Sequence, residues 1–201
     1  LKILNMPSPS DSIEIRRFRR ELQIVQRLQH PHIIKIEEYG EVDSFAYLAM
    51  EFMAGGSLAE RFMHPAIITL EESAQIIRDI ASALDHAHSQ GIVHRDLKLA
   101  NVLVAGDGRL ALGDFGIAQM QDASRLTESG QTFGTPTYMS PEQVYGLKET
   151  DYRSDVYSLA VIAYLLTTGY FPFSGGTSLV VLNQHLMQRP PTPSKINPRL
   201  S

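Results

Sequence analysis

Residues 155–167 limit the fold more than any other segment. Val156, Leu159, Val161, Ile162, Leu165 and Leu166 fall on nearly every side of a helical wheel. A helix that is apolar all round must be wrapped by other elements, either in a bilayer or in the middle of a substantial core. The bilayer is excluded, because Ser158 interrupts a stretch already well short of the about 20 residues a span requires. The chain must therefore supply the wrapping itself. With 201 residues it is long enough, since folding at this size buries roughly 70% of the unfolded surface. It has no cysteine, which excludes disulfides, Cys-ligated zinc and thiol nucleophiles. The 18 Lys+Arg against 22 Asp+Glu give a net charge of −4, which argues against nucleic-acid binding through bulk charge.

The wrapping elements can be read from periodicity. Residues 1–4 resemble the end of a strand, with Lys2 inside it. Asp11 is an expected N-cap for a helix whose apolar positions are Ile15, Phe18, Leu22, Val25 and Leu28. Its other face carries Arg16, Arg17, Arg19 and Arg20, a solvated surface in the first instance. Two strands are predicted at 33–36 and 45–50. Residues 54–57 break the pattern before a short helix. Thr69 with Glu72 is a capping-box pair opening a long helix with the stripe Ile76, Ile77, Ile80, Ala81 and Leu84, ended by Gly91. Short β-like runs follow at 92–93, 102–104 and 110–112, with Asp107-Gly108 as a hairpin turn between the last two. Residues 114–142 lack periodicity, and a stretch of that length without regular structure is usually functional. After the buried helix comes a last helix at 179–187, and then a loop-like end. Strands plus one helix, then mainly helices, predict an α+β protein of two unequal lobes.

The chemistry is concentrated in two short segments. His94-Arg95-Asp96-Leu97-Lys98-Leu99-Ala100-Asn101 follows the long helix, and Gly113-Asp114-Phe115-Gly116 follows the hairpin. Asn101 and Asp114 offer hard oxygen ligands of the kind Mg²⁺ accepts alongside phosphate oxygens. Asp96 is placed to take a proton from an attacking hydroxyl, and Lys98 to neutralise phosphate charge beside it. By contrast, His86 and His88 stand at i and i+2 on a helix and diverge, so they are not read as metal ligands.

These segments resemble the signatures of the eukaryotic-type (Hanks-type) Ser/Thr protein kinases, in particular the bacterial branch. His-Arg-Asp-Leu-x-x-x-Asn matches 94–101 and Asp-Phe-Gly matches 114–116. Ser140-Pro141-Glu142 stands where Ala-Pro-Glu is usual. The resemblance implies a bilobal kinase-like fold, with 1–53 as a partial N-lobe of strands plus the helix called αC, ending in the hinge. Residues 54–201 would be the mostly helical C-lobe. It further implies that Asp96 is the catalytic base, that Asn101 and Asp114 hold Mg²⁺ (or Mn²⁺), and that Lys2 pairs with ATP phosphates and with Glu21. Met50 resembles the gatekeeper before a hinge in which the Glu51 carbonyl and Met53 N–H meet adenine. Leu103 resembles the residue packed beneath the ring. Thr135 resembles the residue bridging Asp96 and Lys98, and with Lys98 it points to Ser/Thr acceptors. Asp155 resembles the aspartate that holds the catalytic loop, and His94 a core support for Phe115.

Thr127, Ser129 and Thr132 are the expected phosphorylation positions of an activation segment at 114–142, with Arg95 and Arg17 as phosphate partners. The implied partners are ATP, protein substrates and a second copy for trans-autophosphorylation. No nucleic acid or membrane contact is implied. The implied location is the cytoplasm, which includes the cytoplasmic part of a membrane-anchored receptor kinase. The family pattern also contains a Gly-rich loop before the Lys2 position and helices after the Ser201 position, so both ends read as cut. One of those helices carries an arginine for Glu142. Without it, Glu142 is expected to be a partly buried charge lacking a partner. Leu99 replaces a common proline and Ala160 a common glycine. The alternative reading is a non-catalytic kinase-fold fragment serving as a nucleotide- or protein-binding scaffold.

Overall fold

A computed structural model of the chain describes residues 1–5, 25–42, 45–63, 68–115, 136–146 and 150–200. The first layer is a small antiparallel sheet of β1 (Lys2–Asn5), β2 (Ile36–Val42) and β3 (Phe45–Met50), in the order β1-β3-β2. Lys2 lies opposite Leu48, and Val42 lies opposite Phe45. The Tyr47 ring lies over Gly40 of β2: a Cβ there would stand 2.4 Å from it across the ladder and the ring would have to move aside.

Beneath the sheet lie α1 (Leu58–Met63), α2 (Leu70–Ser89), a second two-stranded sheet of β4 (Val102–Val104) and β5 (Leu110–Leu112), and α3 (Pro141–Val144). They are followed by α4 (Tyr152–Thr168), α5 (Ser178–Met187) and α6 (Pro193–Ile196). The capping box at the start of α2 forms as expected. Glu72 N–H donates to Thr69 Oγ1 at 3.1 Å, and Thr69 N–H donates to Glu72 Oε2 at 2.9 Å. Ile80, Ala83, Leu84 and Ala87 of α2 meet Ile162, Leu165 and Leu166 of α4 in one core with Leu97, Val102 and Leu112. Buried Ser73 ties the two helices by donating to Leu166 O at 3.1 Å. Both helices stop at glycines of positive φ, Gly91 and Gly169, where a side chain would be strained.

Several sequence expectations are corrected. The apolar run 33–36 is not a strand of the first sheet; only its last residue, Ile36, joins that sheet, as the start of β2. Ile33 and Ile34 are buried because they link the two sheets instead. Ile34 N–H donates to Leu112 O at 3.0 Å, and Leu112 N–H returns to His32 O at 2.8 Å. Residues 92–93 are irregular, and Ile92 N–H closes the end of α2 on Ala87 O. The β4–β5 hairpin is present, but Ala105 N–H pairs with Arg109 O, so the loop between them is three residues with Gly108 left-handed. Helix α4 starts three residues before Asp155, capped by Asp151, and is not buried all round. Tyr152, Val156 and Ala160 form an outward stripe, with Val156 53% exposed. The loop-like end contains α6 and a single 3₁₀ turn, Pro198–Leu200.

Candidate active site

The loop after α2 is organised by one carboxylate. Asp155, 1% exposed in the first turn of α4, accepts the backbone N–H of His94 and of Arg95, each at 2.8 Å. It also pairs with His88 Nε2 at 2.8 Å. These bonds hold Arg95 at φ 66, a left-handed conformation that a non-glycine residue seldom adopts. Gln143 Nε2 adds a bond to Arg95 O at 2.6 Å from the other side. His94 is fully buried. Its Nε2 donates to Gly113 O at 2.8 Å, its Nδ1 accepts Asp96 N–H at 3.3 Å, and its ring packs 4.7 Å from that of Phe115. With Nε2–H donating and Nδ1 accepting, His94 serves as a spacer between the two loops.

Within this frame the polar side chains converge. Lys98 Nζ lies 2.7 Å from Asp96 Oδ2. Asn101 Nδ2 donates to Asp96 O at 2.7 Å and to Asp96 Oδ2 at 3.2 Å. Gly113 N–H donates to Asn101 O at 2.8 Å, so the backbone that presents Asp114 is tied to the residue that presents the Asn101 amide. Asp114 is itself left-handed, at φ 61. Lys2 reaches it from β1 with an Nζ–Oδ1 distance of 2.7 Å, an ion pair spanning 112 positions of sequence. Two of the chain's non-glycine left-handed residues thus flank the same few side chains, and they are the only two among the described residues.

Next to this cluster, between the two layers, lies a cleft of about 470 Å³. Met50, Met53, Leu103 and Ile34 give it apolar walls, and Glu51, Ser57 and Glu60 lie at its polar margin. Met53 is buried and Phe52 is exposed, so the 51–53 segment turns one edge inward. On the opposite flank, the 3₁₀ turn Pro136–Tyr138 and α3 are fixed to α4: Ser158 Oγ donates to Tyr138 O at 2.7 Å, and Ser154 Oγ bonds Glu142. The expectation that Glu142 lacks a partner is therefore overturned, because a buried serine supplies one. Burial pushes the Glu142 carboxyl up, but hydrogen bonds from Ser154, its own backbone and Ser140 outweigh it and leave it below the usual range.

The structure brings together Lys2, Asp96, Lys98, Asn101 and Asp114, and places Met50, Glu51, Met53 and Leu103 along the cleft. Glu21, Arg17, Thr127, Ser129, Thr132 and Thr135 lie outside the described residues. The sequence reading missed His88, Gln143 and Ser154, all of which brace the loop or the segment beside it. The signal for Ser154 was a polar residue one helical turn before Ser158 on an otherwise apolar helix. His88 and Gln143 had no local signal, since their partners are 67 and 48 positions away.

The geometry has counterparts among known proteins. The protein kinase domain family matches residues 1–199, and the chain belongs to that family. It is 38% identical over 200 residues to the probable serine/threonine-protein kinase PknB of Lactococcus lactis, covering 100% of this chain and 32% of that protein. Similar values hold for the serine/threonine-protein kinases PrkC of Bacillus subtilis (36% over 198 residues; 98% and 30%) and PknH of Mycobacterium bovis (37% over 198; 98% and 33%). The chain spans about a third of the length of these relatives. No helix among the described residues is long and apolar enough to cross a membrane.

Proposed function

We propose that this chain is the catalytic part of a kinase that transfers the γ-phosphoryl group of ATP to Ser and Thr hydroxyls of proteins. The observation that carries the reading is the Asp96 carboxylate held between Lys98 and Asn101 on a loop anchored by Asp155. In this reading Asp96 orients the acceptor hydroxyl and takes its proton, and Lys98 balances the negative charge that gathers beside it. The paired oxygen donors Asn101 and Asp114 suit Mg²⁺, which favours one or two protein ligands and completes its octahedron with phosphate and water oxygens. Bound Mg·ATP supplies the transferable phosphoryl group. Lys2 stands at Asp114, where its ammonium serves nucleotide phosphates, and in the cleft Leu103 packs beneath the adenine with Met50 as the gatekeeper before the hinge. The main chain of Glu51 and Met53 provides the adenine edge contacts.

Residues 1–53 form the upper lobe and hinge in this account, and 54–201 the lower lobe. Regulation is through segment 114–142, phosphorylated at Thr127, Ser129 or Thr132 by a second copy. The location is the cytoplasm, where ATP is available. The test is incubation of the intact protein with Mg²⁺ and γ-labelled ATP plus a Ser/Thr-containing acceptor protein. Label appearing as phosphoserine or phosphothreonine, and only with divalent metal, is the expected result. Tight nucleotide binding with no transfer overturns the reading in favour of a binding scaffold.

A further inference from the structure

The hairpin between β4 and β5 carries a side chain that the site above does not use. Arg109 Nη1 donates to Pro31 O at 2.7 Å, and Arg109 Nη2 forms an ion pair with the Glu51 carboxylate. Both charged groups are about two-thirds buried, with side-chain exposures of 28% and 32%. The arginine is itself held in place, its N–H donating to Asp107 Oδ1 at 3.0 Å and its carbonyl accepting from Ala105 at 2.8 Å.

Each of the three segments that Arg109 joins contributes a residue to the cleft lining: Ile34, Glu51 and Leu103. Glu51 N–H donates to Lys35 O at 2.9 Å. The 31–35 segment that supplies Pro31 O and Lys35 O is also bound through Ile34 N–H and His32 O to Leu112. The hairpin that supplies Arg109 carries Leu103, which lines the same cleft. One planar guanidinium therefore closes a ring of three segments, and it does so because its fork can serve a carboxylate and a carbonyl at once.

We propose that Arg109 is a positioning residue for nucleotide recognition: by gripping the Glu51 side chain it sets the orientation of the main chain that reads the purine base. This rests on the nucleotide-binding reading above. Its effect falls on the base and not on the phosphates, because none of its bonds reaches toward Lys2, Asn101 or Asp114.

The experiment measures the dissociation constants of Mg·ATP, adenosine and Mg·GTP for the intact protein and for Arg109→Met, which keeps the apolar stem and removes the fork. Loss of a half-buried charge-assisted bond predicts ATP and adenosine both weakened about tenfold. GTP, whose edge donors and acceptors differ, weakens less, so the ATP-to-GTP preference falls. Arg109→Lys restores part of the preference, since it keeps the charge without the fork. Glu51→Gln, which keeps a neutral acceptor, shifts the preference in the same direction by a smaller factor and serves in place of Arg109→Met should that variant not fold. Equal losses for ATP and GTP, or an unchanged adenosine affinity, overturn the proposal and leave Arg109 a general brace. Wild-type protein that binds none of the three overturns the nucleotide-binding reading itself, and the Arg109 proposal with it.

Discussion

Replacing Asp155 by alanine removes the acceptor on which the backbone of the loop after α2 hangs. Three donors lose their partner: the N–H groups of His94 and Arg95, and His88 Nε2. A buried donor left unsatisfied costs about 1–3 kcal/mol, so the two amides alone account for roughly 2–6 kcal/mol. His88 adds little, because its partly exposed ring can reach water. Arg95 at φ 66 stores ~1–3 kcal/mol of strain that these bonds hold in place, and its release once they are gone offsets part of that loss. Relief of Asp155's own desolvation offsets a little more, giving a net destabilisation of about 1–4 kcal/mol. Against a domain stability of about 5–15 kcal/mol this is large. Urea unfolding followed by circular dichroism reads it as a lower midpoint with an unchanged slope. Asp155→Asn keeps one carbonyl for His94 but turns an amide toward the Arg95 N–H, so about half the loss is expected. A loss under about 1 kcal/mol for the alanine variant refutes the claim that Asp155 supports the loop.

Two further outcomes follow from local structure. Thr69→Ala removes the side-chain acceptor of the Glu72 N–H, one of the two bonds of the α2 capping box, and lowers stability by about 1 kcal/mol, measured in the same unfolding assay. Stability also falls with acid below neutrality. His30 is held below its usual range by burial and by the neighbouring His86 and His32 rings, the first of which stacks on it at 5.3 Å. The partner of His30 is Ser82 Oγ at 3.1 Å, a neutral group that does not offset those causes. Burial depresses His185 more than the Pro136 and Thr137 backbone raises it. Both lowered groups mean that the unfolded chain binds more protons as pH drops through about 6.5. Stability present above that pH is then progressively lost toward the folded-state values. Melting temperatures across that range should show the slope, and His30→Gln should flatten it.

The parts of the site that were legible in the sequence are the local ones. Asp96, Lys98 and Asn101 sit within one six-residue stretch, so the loop's own geometry brings them together. The capping box was legible for the same reason. What the sequence could not show are pairings across long separations: Lys2 with Asp114, Arg109 with Glu51 and His88 with Asp155. The apolar run 33–36 was misread because burial has the same signature whether a residue joins a strand or bridges two sheets, as Ile33 and Ile34 do. The outward stripe of α4 was hidden similarly, since hydrophobicity on all sides of a helix reveals nothing about which side faces its neighbours. Glu142 looked unpartnered because the reading sought an arginine, where the fold supplies the hydroxyl of Ser154.

The central claim is that Asp96 is the group that activates the acceptor hydroxyl. Its most direct test is the single-turnover rate of phosphoryl transfer from Mg·ATP to a Ser/Thr peptide by the intact protein, compared with Asp96→Asn at matched nucleotide occupancy. Loss of a positioned general base predicts a rate lower by about 10²–10⁴, with Mg·ATP affinity held within a few-fold. Equal rates for the two proteins would contradict the account.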